Sequence, residues 1–189
     1  MREISLHMMD IVENSVAAGA KQVQISVVED TRKNRLRIAI KDNGRGIPED
    51  RLNQVLDPFY TTRTTRRVGL GLSLFREAAR RCDGDFAIHS KEGEGTEVSA
   101  SFRLDHLDLA PLGDMASSMT SLIMGNPEVD FVYTHERNGR AFQVDTRQVR
   151  KELEEVPITH PEVIKTIRES IRESLEEIIG EEQHAKIDD

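Results

Sequence analysis

The chain has 189 residues, 37% of them hydrophobic and 32% charged, with a formal net charge of −8. This composition supports a folded core and excludes a disordered or collagen-like chain, and the single cysteine, Cys82, excludes a disulfide framework. No apolar run approaches the roughly 18 residues of a membrane span, and the stretch from Met1 to His7 lacks a signal-peptide core, so a cytoplasmic protein without a membrane partner is expected.

Charge is uneven along the chain. Residues 1–104 hold 17 Lys and Arg against 15 Asp and Glu, whereas residues 105–189 hold 9 against 19. The shift predicts a domain over 1–104 and an acidic appendage over 105–189. Phosphate contacts need Lys and Arg, so no nucleic-acid partner is expected.

Residues 4–18 carry Ile4, Met8, Ile11, Val12 and Ser15 at spacings of three and four, the pattern of a helix with one buried face. Gly19 suits its C-terminal cap. Residues 22–29 and 36–41 alternate apolar and polar side chains and predict two strands of a hairpin around a polar turn. A Gly-rich loop follows, then a short helix from Pro48 or Glu49. Residues 57–69 are polar and aperiodic and read as a loop. A second helix is expected over 70–81, with strands over 86–89 and 96–103 joined at Gly93-Glu94-Gly95.

Beyond 104, residues 115–124 read as a short apolar helix. Strands over 129–134 and 140–145 flank Asn138-Gly139, a strong hairpin signal. A helix capped by Asp145 or Thr146 should run to Val156, where Pro157 breaks it. A last helix should run from near Pro161 to Ile179. Its stripe of Ile164, Ile167, Ile171, Leu175 and Ile178 suits packing on its own hairpin better than a coiled coil.

Two stretches carry candidate chemistry. Asp42-Asn43-Gly44-Arg45-Gly46-Ile47-Pro48 follows a strand. It reads either as an ordinary turn or as a purine site. In the second reading the Asp42 carboxylate accepts from an exocyclic amino group, and Gly44 and Gly46 remove side chains that would block a ring or phosphate. On the first helix, His7, Asp10 and Asn14 share a face. An amide oxygen from Asn14 suits Mg²⁺, and a carboxylate one turn back can orient or deprotonate an attacking hydroxyl or water. That helix alone reads better as a surface helix with scattered polar residues. Cys82 reads as structural, and none of the remaining histidines has metal-ligand spacing.

Taken in order, Asn14, Asp42-x-Gly44-x-Gly46, Pro58-Phe59-Tyr60-Thr61-Thr62-Arg63, Gly69-Leu70-Gly71-Leu72 and Gly93-x-Gly95-Thr96 resemble the GHKL superfamily of gyrase, Hsp90, histidine kinases and MutL. The resemblance covers about residues 4–104. Its middle is similar to a histidine-kinase catalytic domain, with Arg63 where a lysine is usual. Its start, Glu13-Asn14-Ser15-x-x-Ala18-Gly19-Ala20, is similar to MutL. A fainter MutL likeness lies in Asn126-Pro127 and the following hairpin.

The resemblance implies an α+β fold: a two-layer α/β sandwich with a mixed, mostly antiparallel sheet, helices on one face, and a small C-terminal hairpin-and-helix appendage. It implies ATP and Mg²⁺, with Asn14 as metal ligand and Asp10 in the place of a catalytic base. Asp42, Gly44, Gly46 and Thr96 would form the adenine end. Phe59, Thr62, Arg63 and Arg67 would contact nucleotide from the lid. Gly69, Leu70, Gly71 and Leu72 would present helix N–H groups to the phosphates. The expected function is a stand-alone kinase subunit phosphorylating a separate protein in trans, with a homodimer open to it. A slow ATPase switch of MutL type and a non-catalytic nucleotide sensor are the rivals. His7 is a poor phosphoacceptor because it lies on the nucleotide-facing helix.

Overall fold

A computed structural model describes residues 3–52, 54–56 and 70–185. Among these residues, the elements run α1 (Ile4–Ala17), β1 (Gln22–Asp30), β2 (Arg35–Asp42), α2 (Leu70–Arg81), β3 (Phe86–Lys91), β4 (Gly95–Arg103), α3 (Met115–Gly125), β5 (Asp130–Arg137), β6 (Arg140–Asp145), α4 (Thr146–Leu153) and α5 (Pro161–Ala185). The six strands form one mixed sheet in the order β3-β4-β2-β1-β5-β6. Every pairing is antiparallel except β1 with β5. This is the expected α+β sandwich.

One sheet face is apolar because the strands alternate. Val23, Ile25 and Val27 of β1, Ile38 and Ile40 of β2, Val98 and Phe102 of β4, and Phe131 and Tyr133 of β5 are all buried. The helices cover this face with Met8, Ile11 and Val12 of α1, Phe75 and Ala79 of α2, Met119 and Ile123 of α3, and Ile167 and Ile171 of α5. The opposite face carries Gln24, Arg37 and Lys41, all exposed, as period-two strands with one wet side require.

The composition boundary at 104 coincides with the end of β4, but the chain beyond it continues the same sheet and core. β5 pairs with β1 in parallel register, Gln22 opposite Asp130 through Glu29 opposite Arg137. A buried polar chain secures this seam. The Tyr133 hydroxyl lies 2.7 Å from His135 Nδ1, His135 Nε2 lies 2.9 Å from Glu29, and Arg137 donates to Glu29 at 2.6 Å. The Asn138-Gly139 turn has φ of 51° and 87°, the left-handed pair that a two-residue hairpin turn needs.

Several boundaries differ from the sequence expectations. The segment after Pro48 forms short 3₁₀ turns, Glu49–Arg51 and Gln54–Leu56, in place of an α-helix. β5 extends to Arg137, because the parallel partner β1 supplies hydrogen bonds along its length. α4 stops at Leu153, where Glu154 turns to a φ of +52°. α5 continues past Ile179 to Ala185. The expected 57–69 loop lies outside the described residues.

The N-terminus of α1 has no side-chain cap. Its orphan amides are satisfied from a distance, with Ile4 N donating to Pro111 O at 3.0 Å and Ser5 N to Leu112 O at 2.9 Å. The segment joining the two halves of the chain therefore holds the helix that carries Asp10 and Asn14.

Candidate functional site

The site is built where α1 and β2 end and α2 begins. Asp42 closes β2 and is 8% exposed. Its Oδ1 accepts from Gly44 N at 2.8 Å, and its Oδ2 accepts from the Ser15 hydroxyl at 2.6 Å. A carboxylate offers about four lone-pair positions, so two remain for a ligand, and both fixed donors orient them. Asn43, next in sequence, accepts from Lys21 N and Gln22 N at 2.9 Å each and pins the loop to the start of β1.

The glycines of this loop are required chiefly by the protein's own backbone. Gly46 has a φ of +69°, and a Cβ there would stand 2.0 Å from the Lys91 carbonyl oxygen. Gly95 has a φ of +114°, and its Cβ would stand 2.0 Å from the Asp42 carbonyl oxygen. The loop after β2 and the turn between β3 and β4 thus lie backbone to backbone, with Gly93 N donating to Arg45 O at 2.7 Å. A Cβ on Gly44 would meet Asp42 Oδ1 at 3.0 Å, so this glycine keeps space beside the carboxylate. Thr96 stands opposite Asp42 in the β2–β4 register. Its hydroxyl lies 2.8 Å from Ser90 Oγ, which also accepts from Ile47 N at 2.8 Å and donates to Gly95 O at 2.9 Å. Asp42, Ser90, Gly95 and Thr96, with the exposed Lys41, His89, Lys91 and Glu94, line an open depression of about 250 Å³ at the strand ends.

α2 meets α1 at Gly71. A Cβ on Gly71 would sit 3.2 Å from Asp10 Cβ and 3.8 Å from Asn14 Nδ2. A side chain there would press on Asp10, so the glycine lets the first turn of α2 lie close against the Asp10 and Asn14 face. The N-terminal turn of a helix, with the positive end of its dipole, is suited to an anion. Leu70 begins the helix, and half-buried Leu72 packs against the core.

Of the residues singled out from sequence, Asp10, Asn14, Asp42, Gly44, Gly46, Leu70, Gly71, Leu72 and Thr96 are gathered around this end of the sheet. Phe59, Thr62, Arg63, Arg67 and Gly69 lie outside the described residues. Sequence reasoning gave no role to Ser15, Ser90 or Asn43. Ser15 carried a signal, because it is a polar residue inside the apolar stripe of α1, where an unpaired hydroxyl would be costly. Cys82 is buried beyond the end of α2, and burial pushes its thiol pKa up, which suits a structural residue.

The family described as histidine kinase-, DNA gyrase B- and HSP90-like ATPase matches residues 3–106. The chain belongs to this family. Its ATP-binding domain is histidine-kinase-like. It is 31% identical over 106 residues to the sensor protein kinase WalK of Staphylococcus haemolyticus, a match covering 52% of this chain and 17% of that protein. It is 33% identical over 96 residues to WalK of Staphylococcus epidermidis, covering 47% of this chain and 16% of that protein. The chain thus spans less than a fifth of the length of these relatives. A crystal structure of the N-terminal domain of a DNA repair protein superposes with a TM-score of 0.55 at 15% identity, covering 76% of this chain and 52% of that one. That likeness extends the shared fold beyond the family-matched segment.

Proposed function

We propose that this chain is an ATP-dependent kinase subunit that transfers the γ-phosphate to a separate protein. The observation that carries the reading is the convergence of Asp42, Asn14, Asp10 and the N-terminal turn of α2 on one end of the sheet. Asp42, held by Ser15 and Gly44 N, accepts from the adenine amino group, with Gly44, Gly46 and Thr96 shaping the pocket around it. The first turn of α2, from Leu70 through Gly71 and Leu72, receives the phosphates. On the sequence resemblance alone, the reading also assigns nucleotide contacts to Phe59, Thr62, Arg63 and Arg67, and groups Gly69 with the helix N–H groups that face the phosphates. Asn14 offers a neutral oxygen that fits Mg²⁺, with phosphates and waters as its other ligands. When bound, the metal offsets charge that builds on the phosphates. Asp10 takes the proton of the attacking hydroxyl.

The WalK relatives are sensor protein kinases by name, which supports phosphoryl transfer. A slow ATPase switch is the second reading. It is favoured by a carboxylate at position 10 and by the joining of β5 to β1 and α3 to α1, which would carry a nucleotide-dependent movement into the C-terminal half.

The test is incubation of the purified protein with γ-labelled ATP, alone and with fractions of a lysate. Label on a second protein is the expected outcome. Free phosphate without labelled protein would favour the switch, and tight binding without turnover would leave a nucleotide sensor. Unchanged ATP affinity in both Asn14→Ala and Asp42→Asn would overturn the site assignment.

A further inference from the structure

His7 lies on the α1 face that carries Asp10 and Asn14, one turn before Asp10. It is 5% exposed, and its ring lies against Phe75 of α2 with centroids 5.8 Å apart. Its Nδ1 is buried and, among the described residues, has no hydrogen-bond partner. Leaving such an atom unpaired forfeits its hydration without return, a cost an apolar side chain of similar size would not carry. Burial also pushes the ring's pKa down to about 4. At neutral pH the ring therefore holds one N–H and one lone pair.

The placement of this orphan atom gives it meaning. Phe75 stands one turn beyond Gly71 on α2, and Gly71 is the residue against which Asp10 packs. His7 therefore sits in the same α1–α2 seam as Asp10, one turn farther from Asn14. Helical side chains lean toward the N-terminus, so a carboxylate at position 10 can swing over the turn that carries His7. An unsatisfied buried polar atom calls for an explanation, and a carboxylate within one turn supplies it.

We propose that His7 is a positioning residue. With nucleotide bound, its Nδ1–H donates to one oxygen of the Asp10 carboxylate, leaving the other free for the proton of the attacking hydroxyl. The inference rests on the reading of Asp10 as general base. His7 gives up no proton. The hydroxyl's proton passes to Asp10 while its oxygen bonds to the γ-phosphorus and the bond to the departing ADP oxygen breaks.

Two measurements test this. In the first, the His7 imidazole is followed by ¹⁵N NMR of the full chain as Mg²⁺ and a non-hydrolysable ATP analogue are added. The Nδ1 resonance should move to the protonated, hydrogen-bonded position in the wild type and stay in place in Asp10→Ala. No movement, or the same movement in Asp10→Ala, would overturn the proposal. In the second, ATP turnover is compared in His7→Leu and His7→Asn. His7→Leu should keep KM for ATP within about twofold, keep or raise the melting temperature, and turn over at least about tenfold more slowly. His7→Asn, which retains a donor near the Nδ1 position, should recover most of the rate. A double variant with Asp10→Asn should be no slower than Asp10→Asn alone. Equal rates for His7→Leu and wild type, or independent multiplying losses, would refute it. Unchanged turnover in Asp10→Asn alone would instead show that Asp10 is not the base.

Discussion

Replacing Ser15 with alanine removes one hydroxyl and nothing else from the core stripe of α1. That hydroxyl donates to Asp42 Oδ2 at 2.6 Å, with both residues buried. A hydrogen bond to a charged acceptor contributes about 1.5–3 kcal/mol. Asp42 keeps its bond from Gly44 N, and water entering the open pocket recovers part of the loss. A net destabilisation of about 1–2 kcal/mol is expected, which for a chain of this size lowers the melting temperature by roughly 2–8 °C. The effect on binding should be larger in relative terms, because a rotating carboxylate no longer presents its free lone pairs in one direction. A loss of about 1.4 kcal/mol is a tenfold weaker dissociation constant, and five- to thirty-fold is the expected range. Isothermal titration with ATP and Mg²⁺ measures the affinity, and calorimetric unfolding without nucleotide measures the stability. Ser26→Ala, on the opposite face of the sheet, serves as the control. If Ser15→Ala bound ATP as tightly as the wild type, Asp42 would not be read through this hydrogen bond and the reasoning would fail.

Other consequences are as direct. Gly46→Ala places a Cβ 2.0 Å from the Lys91 carbonyl at a φ of +69°; a loss of about 2–5 kcal/mol in denaturant unfolding is expected, and a loss under about 1 kcal/mol would show that the loop and turn separate freely. Ile171→Ala empties a fully buried site on α5 and should cost about 2–5 kcal/mol in one cooperative transition. Two separate transitions would contradict a core shared between the two halves of the chain. Asp114 caps α3 and accepts from the Ser117 hydroxyl and amide, which hold its carboxyl at about 2, below the ordinary 3.8. A folded-state value below the unfolded one means the contribution is present above about pH 4 and lost as pH falls toward 2. Asp114→Ala should cost about 0.5–2 kcal/mol at pH 7, and the gap to the wild type should close in unfolding curves recorded toward pH 2.

Much of the fold was legible because it rests on local periodicity. The α1 stripe, the alternation of β1 and β2, and Asn138-Gly139 each express a rule that acts within a few residues. The residues of the candidate site were legible for another reason. Asn14, Asp42, Gly71 and Thr96 are short patterns of unusual type, so they stand out even when their partners are far away in the chain. The grounds for the glycines were less visible. Gly46 reads from sequence as room for a ligand and Gly95 as part of a turn, whereas the nearest obstacles to a side chain at the two positions are the carbonyls of Lys91 and Asp42. Ser15 lay in plain sight inside an apolar stripe, yet its partner is 27 residues away.

The sequence by itself determined most of the element types, the acidic C-terminal half, and the set of polar and glycine residues gathered at the candidate site, because these follow from side-chain chemistry and spacing. Only the tertiary structure decided how the two halves join. The parallel pairing of β5 with β1, the carbonyls of Pro111 and Leu112 that cap α1, and the seam that buries His7 beside Asp10 depend on contacts between distant segments. No local pattern specifies those contacts, since backbone hydrogen bonds and close helix approach are available to many sequences. What selects among them is the packing of the whole apolar face at once.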